Sequence, residues 1–541
     1  MSEDVIRNPI LPGFNPDPSI VRVGDDVYIA TSTFQWFPGV QIHHSRNLQD
    51  WTLVGRPLDR ASQLDMRGNP DSCGVWAPCL SHADGLFWLI YTDVKRFEGN
   101  YKDAHNYLVT APSIEGPWSD PVYLNSSGFD PSLFHDDDGR KWLLNLVWDH
   151  RRKHNRFAGI LLQEYDPEAG RLVGPVTNIF RGTDLKLTEG SHLYKRDGWY
   201  YLITAEGGTE YNHAVTMARS RDITGPYEVH PQKHVVTTKD APDSPLQRAG
   251  HGDIVEMPDG ETYIVNLVSR PLPGTRLSPR GRETAIERCV WGDDGWLRLE
   301  TGSQVPRMQV PVTPSGNAGE NDREGRGGPP AAYEFDGTLP IDFQWLRTPE
   351  TDRIFSLEAR PGHLRLFGRE GIGAMFEQAL VARRVADAAY TASTVVDFAP
   401  QTYQQCAGLT VYYDRVRFHY LHVTWDDATG QRVLDIMSCE ANWPHGYLTY
   451  PTAEPVPLPA EGPVDLIVRV DGAALQFAYA VGGGEPTDTG PVLDASLCSD
   501  EAAGRGGGGS FTGTFVGMAC QDTSGAGLHA DFARFDYTPR T

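Results

Sequence analysis

Leu187-Thr188-Glu189-Gly190-Ser191-His192-Leu193-Tyr194-Lys195-Arg196-Asp197-Gly198-Trp199-Tyr200-Tyr201-Leu202 reads as a polar residue, a short strand, an Asp-Gly turn and a second, apolar strand. The Asp-Gly pair supplies the positive φ that a tight hairpin needs. Four further stretches follow the same template. Asp17-Pro18-Ser19-Ile20 runs through Gly24-Asp25-Asp26 to Val27-Tyr28-Ile29, and Trp76-Ala77-Pro78 through Asp84-Gly85 to Phe87-Trp88-Leu89. Asp130-Pro131-Ser132-Leu133 runs through Asp138-Gly139 to Lys141-Trp142-Leu143, and His251-Gly252-Asp253-Ile254 through Asp259-Gly260 to Tyr263-Ile264.

Aligned on their turns, the five copies share a column holding Asp17, Trp76, Asp130, Glu189 and His251, with successive gaps of 59, 54, 59 and 62 residues. Repeats of this length, built from short strands and turns, predict a five-bladed β-propeller. Strand pairs follow the template in several copies. Ile42-His43-His44-Ser45 precedes Trp51-Thr52-Leu53-Val54, Tyr107-Leu108-Val109-Thr110 precedes Gly116-Pro117-Trp118, and Val215-Thr216-Met217-Ala218 precedes Gly225-Pro226-Tyr227. About four strands per blade are therefore expected. The innermost strand of each blade lines the central channel, so the shared column predicts a ring of side chains around one point.

The 541 residues are too many for one ordinary domain. The blades occupy residues 1–310. Residues 311–330 are rich in Thr, Pro, Gly, Asn and Glu and read as a linker. Residues 331–541 are again strand-like but lack the blade template: Ala407 to Tyr413, Phe418 to Val423, Val464 to Val470 and Phe532 to Tyr537, with turns at Asp471-Gly472 and Gly482-Gly483-Gly484. They predict a β-sandwich of jelly-roll type. The fold class is thus all-β, with one short helical piece expected over Phe376 to Arg384. A Gly-rich loop, Gly504 to Ser510, leads into Phe511; it reads by default as a plain connection, and alternatively as a flexible arm that carries Phe511 to another domain's cleft.

A net charge of −23 argues against nucleic acid, which a polyanion repels, and is compatible with a neutral substrate. The seven cysteines are odd in number and show no paired CxxC spacing. The first residues, Met1-Ser2-Glu3-Asp4-Val5, lack the basic and apolar regions of a signal peptide, and no apolar run approaches a membrane span. A reduced, cytoplasmic setting without membrane contact is the expectation.

Carboxylates at one focus cleave glycosidic bonds: a protonated acid donates to the leaving oxygen while an ionised base activates water. Asp17, Asp130 and Glu189 supply these roles. Asp17-Pro18-Ser19 and Asp130-Pro131-Ser132 also read as turn starts, but turn duty does not explain Glu189 in the same column. Among acids, the indole of Trp76 reads as a sugar platform. His251 taken alone reads as a core histidine.

At these residues the chain resembles the β-xylosidases of glycoside hydrolase family 43. The likeness is carried by Asn15-Pro16-Asp17-Pro18-Ser19-Ile20, Phe34-Gln35-Trp36-Phe37-Pro38-Gly39-Val40, His43-His44-Ser45-Arg46 and Gly74-Val75-Trp76-Ala77-Pro78. It continues in Phe129-Asp130-Pro131-Ser132, Thr188-Glu189-Gly190-Ser191-His192 and Gly281-Arg282-Glu283-Thr284. In the second half it is carried by Phe376-Glu377-Gln378-Ala379-Leu380 and Phe511-Thr512-Gly513-Thr514-Phe515-Val516-Gly517. The resemblance implies an inverting enzyme with Asp17 as general base, Glu189 as general acid and Asp130 tuning the acid and orienting substrate. It implies that Arg282 binds substrate, that Phe34 and Trp76 line the sugar pocket, that Trp148 borders the next sugar, and that Phe511 closes the site from the sandwich. It implies no cofactor for the chemistry; His251 corresponds to a central histidine that in some members supports a calcium ion or a water. Self-association is implied as well.

The expected activity is release of D-xylose from the non-reducing end of β-1,4-xylo-oligosaccharides. α-L-Arabinofuranosidase activity is the nearest alternative, since the two sugars offer related shapes. A retaining fructosidase is disfavoured, because its Asn-Asp-Pro-Asn-Gly and Glu-Cys signatures are missing. A non-catalytic carbohydrate-binding propeller is disfavoured by the presence of all three carboxylates.

Overall fold

The computed structural model describes residues 5–312, 331–440, 446–502 and 510–540. Most of the expected linker and all but Ser510 of the Gly-rich loop lie outside these residues; Pro311 ends a strand, Gln309–Pro311.

Five four-stranded antiparallel sheets form the first half, each with its strands in chain order. Their innermost strands are Ser19–Val23, Gly74–Ala83, Ser132–His135, Glu189–Arg196 and Gln247–Glu256. Polar side chains fasten neighbouring blades near the axis. Asp253 of blade five accepts from Ser19 Oγ and Ile20 N of blade one, each at 2.9 Å, closing the ring. Ser19 Oγ also accepts from Leu80 N of blade two at 3.1 Å. The ends of the propeller chain meet where Val5–Arg7 pairs antiparallel with Gln309–Pro311.

The blade template repeats in the backbone, but its column differs from the one the sequence suggested. Asp17, Ala77, Asp130, Gly190 and His251 each have positive φ (54°, 32°, 54°, 55° and 45°). Each lies seven positions before the first residue of its hairpin turn (Gly24, Asp84, Asp137, Asp197 and Pro258). Trp76 and Glu189 are therefore not equivalent to Asp17; each sits one residue earlier. The sequence alignment missed this because hairpin length varies between blades and because the left-handed slot accepts Ala77 and Gly190, which carry no chemistry. Gly190 is required there, since a Cβ would stand 2.8 Å from Cε1 of His251.

The second half is a sandwich of two antiparallel sheets. One runs Phe355–Ser356, Leu364–Phe367, His529–Pro539, Ala389–Asp397, Val464–Asp471, Ala474–Val481 and Thr487–Asp494, with Ala331–Glu334 also pairing His529–Pro539. The other runs Leu448–Thr449, Gln431–Glu440, Arg417–Asp426, Gln405–Asp414, Phe515–Asp522, Ala379–Arg384 and Phe343–Leu346, with Val456–Pro457 also pairing Gln431–Glu440. This second sheet does not end in the sandwich. Its last strand is Trp36–Phe37 of the propeller, paired Leu346↔Trp36 and Trp345↔Phe37. The helical piece expected at Phe376 to Arg384 is instead the strand Ala379–Arg384, held between two neighbours; sheet pairing overrides the weak local preference.

One apolar core runs through both halves. Trp36 stacks on Phe515 at 3.6 Å between ring centroids, and Phe14, Phe34, Tyr412 and Phe418 belong to the same buried cluster. Charges cross the junction too. Buried Arg347 pairs with buried Asp71 at 2.6 Å, and Arg415 reaches the same carboxylate at 3.0 Å. Such pairs contribute little net stability but are costly to break, so they fix how the halves seat.

Candidate active site

The channel is filled at one end. Cys79, His192, Tyr194 and Asp253 occupy it, with Cys79 Sγ 3.9 Å and Asp253 Oδ2 3.8 Å from His192 Nδ1, and Tyr194 donating to Asp253. At the other end a cavity of about 790 Å³ opens. Asp17, Asp130, Glu189 and His251 line it together with Phe34, Trp76, Trp148, Arg282 and Phe511, so all the residues expected at the site converge there.

Each carboxylate is held differently. Asp17 Oδ1 accepts from Arg282 Nη1 at 2.8 Å, and Oδ2 accepts from Ser32 Oγ at 2.7 Å. Ser32 Oγ in turn accepts from Ala77 N at 2.7 Å, tying blade one to blade two. Asp130 Oδ2 accepts from Gly190 N at 3.1 Å, so blade three holds the residue beside Glu189. Glu189 opens its strand opposite Ala205. The preceding Thr188 is anchored by buried Glu206, which accepts from Thr188 Oγ1 at 2.7 Å, from Thr216 Oγ1, and from both N and Oγ1 of Thr183.

Burial, then the charge on Asp17, pushes the Glu189 carboxyl up to about 8, against the opposing pull of Lys102 and Arg282. Asp130 is raised well above the usual carboxylate range by burial and by the charges of Glu189 and Asp17. Asp17, Asp130 and Glu189 thus act on one another across the cavity, each charge opposing ionisation of its neighbour. Burial lowers His251 to about 4, so its imidazole is neutral; its Nδ1 lies 3.9 Å from Asp17 Oδ1. Among the described residues no group of three or more His, Cys, Asp and Glu side chains is placed to hold a metal ion.

The walls are aromatic. Phe511 reaches in from the sandwich, its ring centroid 6.3 Å from Phe34, 5.7 Å from Trp76 and 5.5 Å from Phe97. Its backbone is tied to the propeller twice: its N donates to Ser72 Oγ at 3.1 Å, and its carbonyl accepts from Arg282 Nη2 at 2.9 Å. Gly281 allows this approach, because a Cβ would stand 2.7 Å from Thr512 O. Trp76 is fixed by Nε1 donating to Ser72 O at 2.9 Å. Phe97, Phe129 and Lys102 were not legible as site residues. Lys102 Nζ lies 4.5 Å from the Trp148 ring centroid and 5.6 Å from that of Trp76, and burial lowers its pKa to about 8. A lone lysine between loop residues carries no pattern that marks it. A buried acid, an ion-paired carboxylate and an aromatic-lined cavity together suit general acid–base cleavage of a neutral sugar's glycosidic bond.

Comparison with known proteins agrees. Residues 6–297 match the sequence model of glycosyl hydrolases family 43, and residues 332–538 match that of the beta xylosidase C-terminal concanavalin A-like domain. The chain is 60% identical over 534 residues to Xylosidase/arabinosidase 43B of Humicola insolens, covering 99% of this chain and 98% of that protein. It is 47% identical over 543 residues to the beta-xylosidase of Bacillus subtilis strain 168, covering 98% and 99%. The crystal structure of xylan beta-1,4-xylosidase from Bacillus halodurans C-125 superposes with a TM-score of 0.93 at 52% identity, covering 98% of this chain and all of that one. With its acid pair, its propeller and its sandwich all accounted for, the chain belongs to glycosyl hydrolase family 43.

Proposed function

We propose that the protein is an exo-acting, inverting β-xylosidase that releases D-xylose from the non-reducing end of β-1,4-xylo-oligosaccharides. The observation that carries this reading is the contrast between two buried carboxyls: Glu189 keeps its proton to about pH 8, while Asp17 is gripped by Arg282 and Ser32. Glu189 gives its proton to the leaving glycosidic oxygen as the bond to C1 breaks. Asp17 takes a proton from the water whose oxygen bonds C1 from the opposite face. The step leaves Glu189 ionised and Asp17 protonated, and the anomeric centre inverted.

Inversion needs room for that water, with acid and base about 6.5–9.5 Å apart, against about 5–5.5 Å for retention. Asp17 belongs to blade one and Glu189 to blade four, which blade five separates, and this favours the wider spacing. The Phe511 segment, tied across the cavity to Ser72 and Arg282, favours exo-action, since a cavity walled on one side takes a chain terminus. The names of the similar proteins support xylose as the sugar.

Time-resolved proton NMR on xylobiose tests the reading. α-Xylose is expected first, before mutarotation. Initial β-xylose, or a glycosyl ester trapped on Asp17, overturns it. The name xylosidase/arabinosidase borne by the Humicola relative supports a second activity on α-L-arabinofuranosides. Rates on paired aryl glycosides rank the two.

A further inference from the structure

We infer that Asp500 is a positioning residue for the acid–base pair: a buried carboxylate of the sandwich that sets how firmly Arg282 grips Asp17 and holds the Phe511 segment in place. The inference rests on the hydrolase reading above.

Asp500 follows the short 3₁₀ turn Ala495–Leu497 and is almost fully buried. It lies between two arginines of the propeller. Arg248 Nη2, from the inner strand of blade five, donates to its Oδ2 at 3.2 Å. Arg282 Nε stands 3.9 Å from the same oxygen and, though buried, makes no hydrogen bond. Arg282 is thus shared between a propeller carboxylate, Asp17, and a sandwich carboxylate, Asp500. A guanidinium divided in this way neutralises neither fully. Asp17 therefore shares its counter-cation with a carboxylate of the sandwich.

The second half of the role runs through Tyr413. Its hydroxyl donates to Asp500 Oδ1 and accepts from Thr512 N at 3.1 Å. Thr512 follows Phe511, whose carbonyl Arg282 also holds. Asp500 therefore links the arginine on the base with the segment that carries the closing ring. Besides these partners, Asp500 feels the charges of Glu501, itself paired with Arg248 at 2.7 Å, and of Arg417. Asp17 is faced by Arg282, Ser32 and His251, with Asp130 and Glu189 across the cavity.

Asp500→Asn keeps the shape and removes the charge. Arg282 then acts on Asp17 undiluted, the ionised base is stabilised, and the acidic limb of kcat/KM moves to lower pH by about one unit. A merely structural role lowers activity without moving that limb. Tyr413→Phe keeps the charge and removes the link to Thr512; it raises KM for xylobiose about fivefold while kcat changes less than twofold. Turnover by the wild type tests the hydrolase reading on its own. Calorimetric binding of D-xylose across the same pH range reads the Asp17 titration without turnover, so the two failures are told apart. An unmoved limb in Asp500→Asn overturns the inference. Should that variant not fold, an unchanged KM in Tyr413→Phe overturns it.

Discussion

Glu189 holds its proton because water is kept from it and the charge of Asp17 faces it across the cavity. As the proposed general acid it would act only while protonated, so kcat/KM should fall as pH rises through about 8. Lys102 opposes the rise, since a cation stabilises the ionised carboxylate. Lys102→Met should therefore move the basic limb to higher pH, even as it lowers the rate by disturbing the wall beside Trp148; a limb that moves down, or not at all, refutes the assignment. Leaving groups separate the acid from the base. Glu189→Ala should lose about 10²–10⁴-fold on xylobiose, whose leaving alcohol needs the proton, and far less on an aryl xyloside with an acidic phenol. Asp17→Ala should depress both substrates alike. Equal losses in the Glu189 variant would remove it from the role of acid.

Among the elements, the segment from Ser510 to Thr514 joins the two halves at the site. Phe511→Ala removes three ring contacts, each of an order of about 0.5–1.5 kcal/mol, and should raise KM for xylobiose about tenfold or more with the fold intact. Circular dichroism beside steady-state kinetics checks this. The five hairpins were readable in the sequence because Asp-Gly turns and alternating apolar residues impose them locally. Asp17, Asp130 and Glu189 were readable because each lies within one residue of the same place before its blade's turn. The true backbone column was not, since Ala77 and Gly190 fill a conformational slot without chemical signature. Lys102, Phe97 and Phe129 were hidden for a different cause: their place at the site comes from loops that only packing brings together. Asp500 reached the site only through contacts between residues more than two hundred positions apart.

At the scale of the molecule, the sandwich is part of the catalytic unit. It supplies Phe511, and its Arg347 and Arg415 close on the propeller's Asp71. A fragment ending at Pro311 should be inactive and prone to aggregate, because Trp36 would lose Phe515 and Asp71 both its arginines. A soluble fragment with full activity would show that the site needs only the blades. The strand Trp36–Phe37 has a further bearing, on the making of the protein. Its partner Phe343–Leu346 emerges from the ribosome some three hundred residues later, which at about 5–20 residues per second is a wait of roughly 15–60 s. Through that interval Trp36 and Phe37 lack their sheet partners Leu346 and Trp345. A chaperone that binds the emerging chain would find its hold near residue 36 and release it only when the second half arrives.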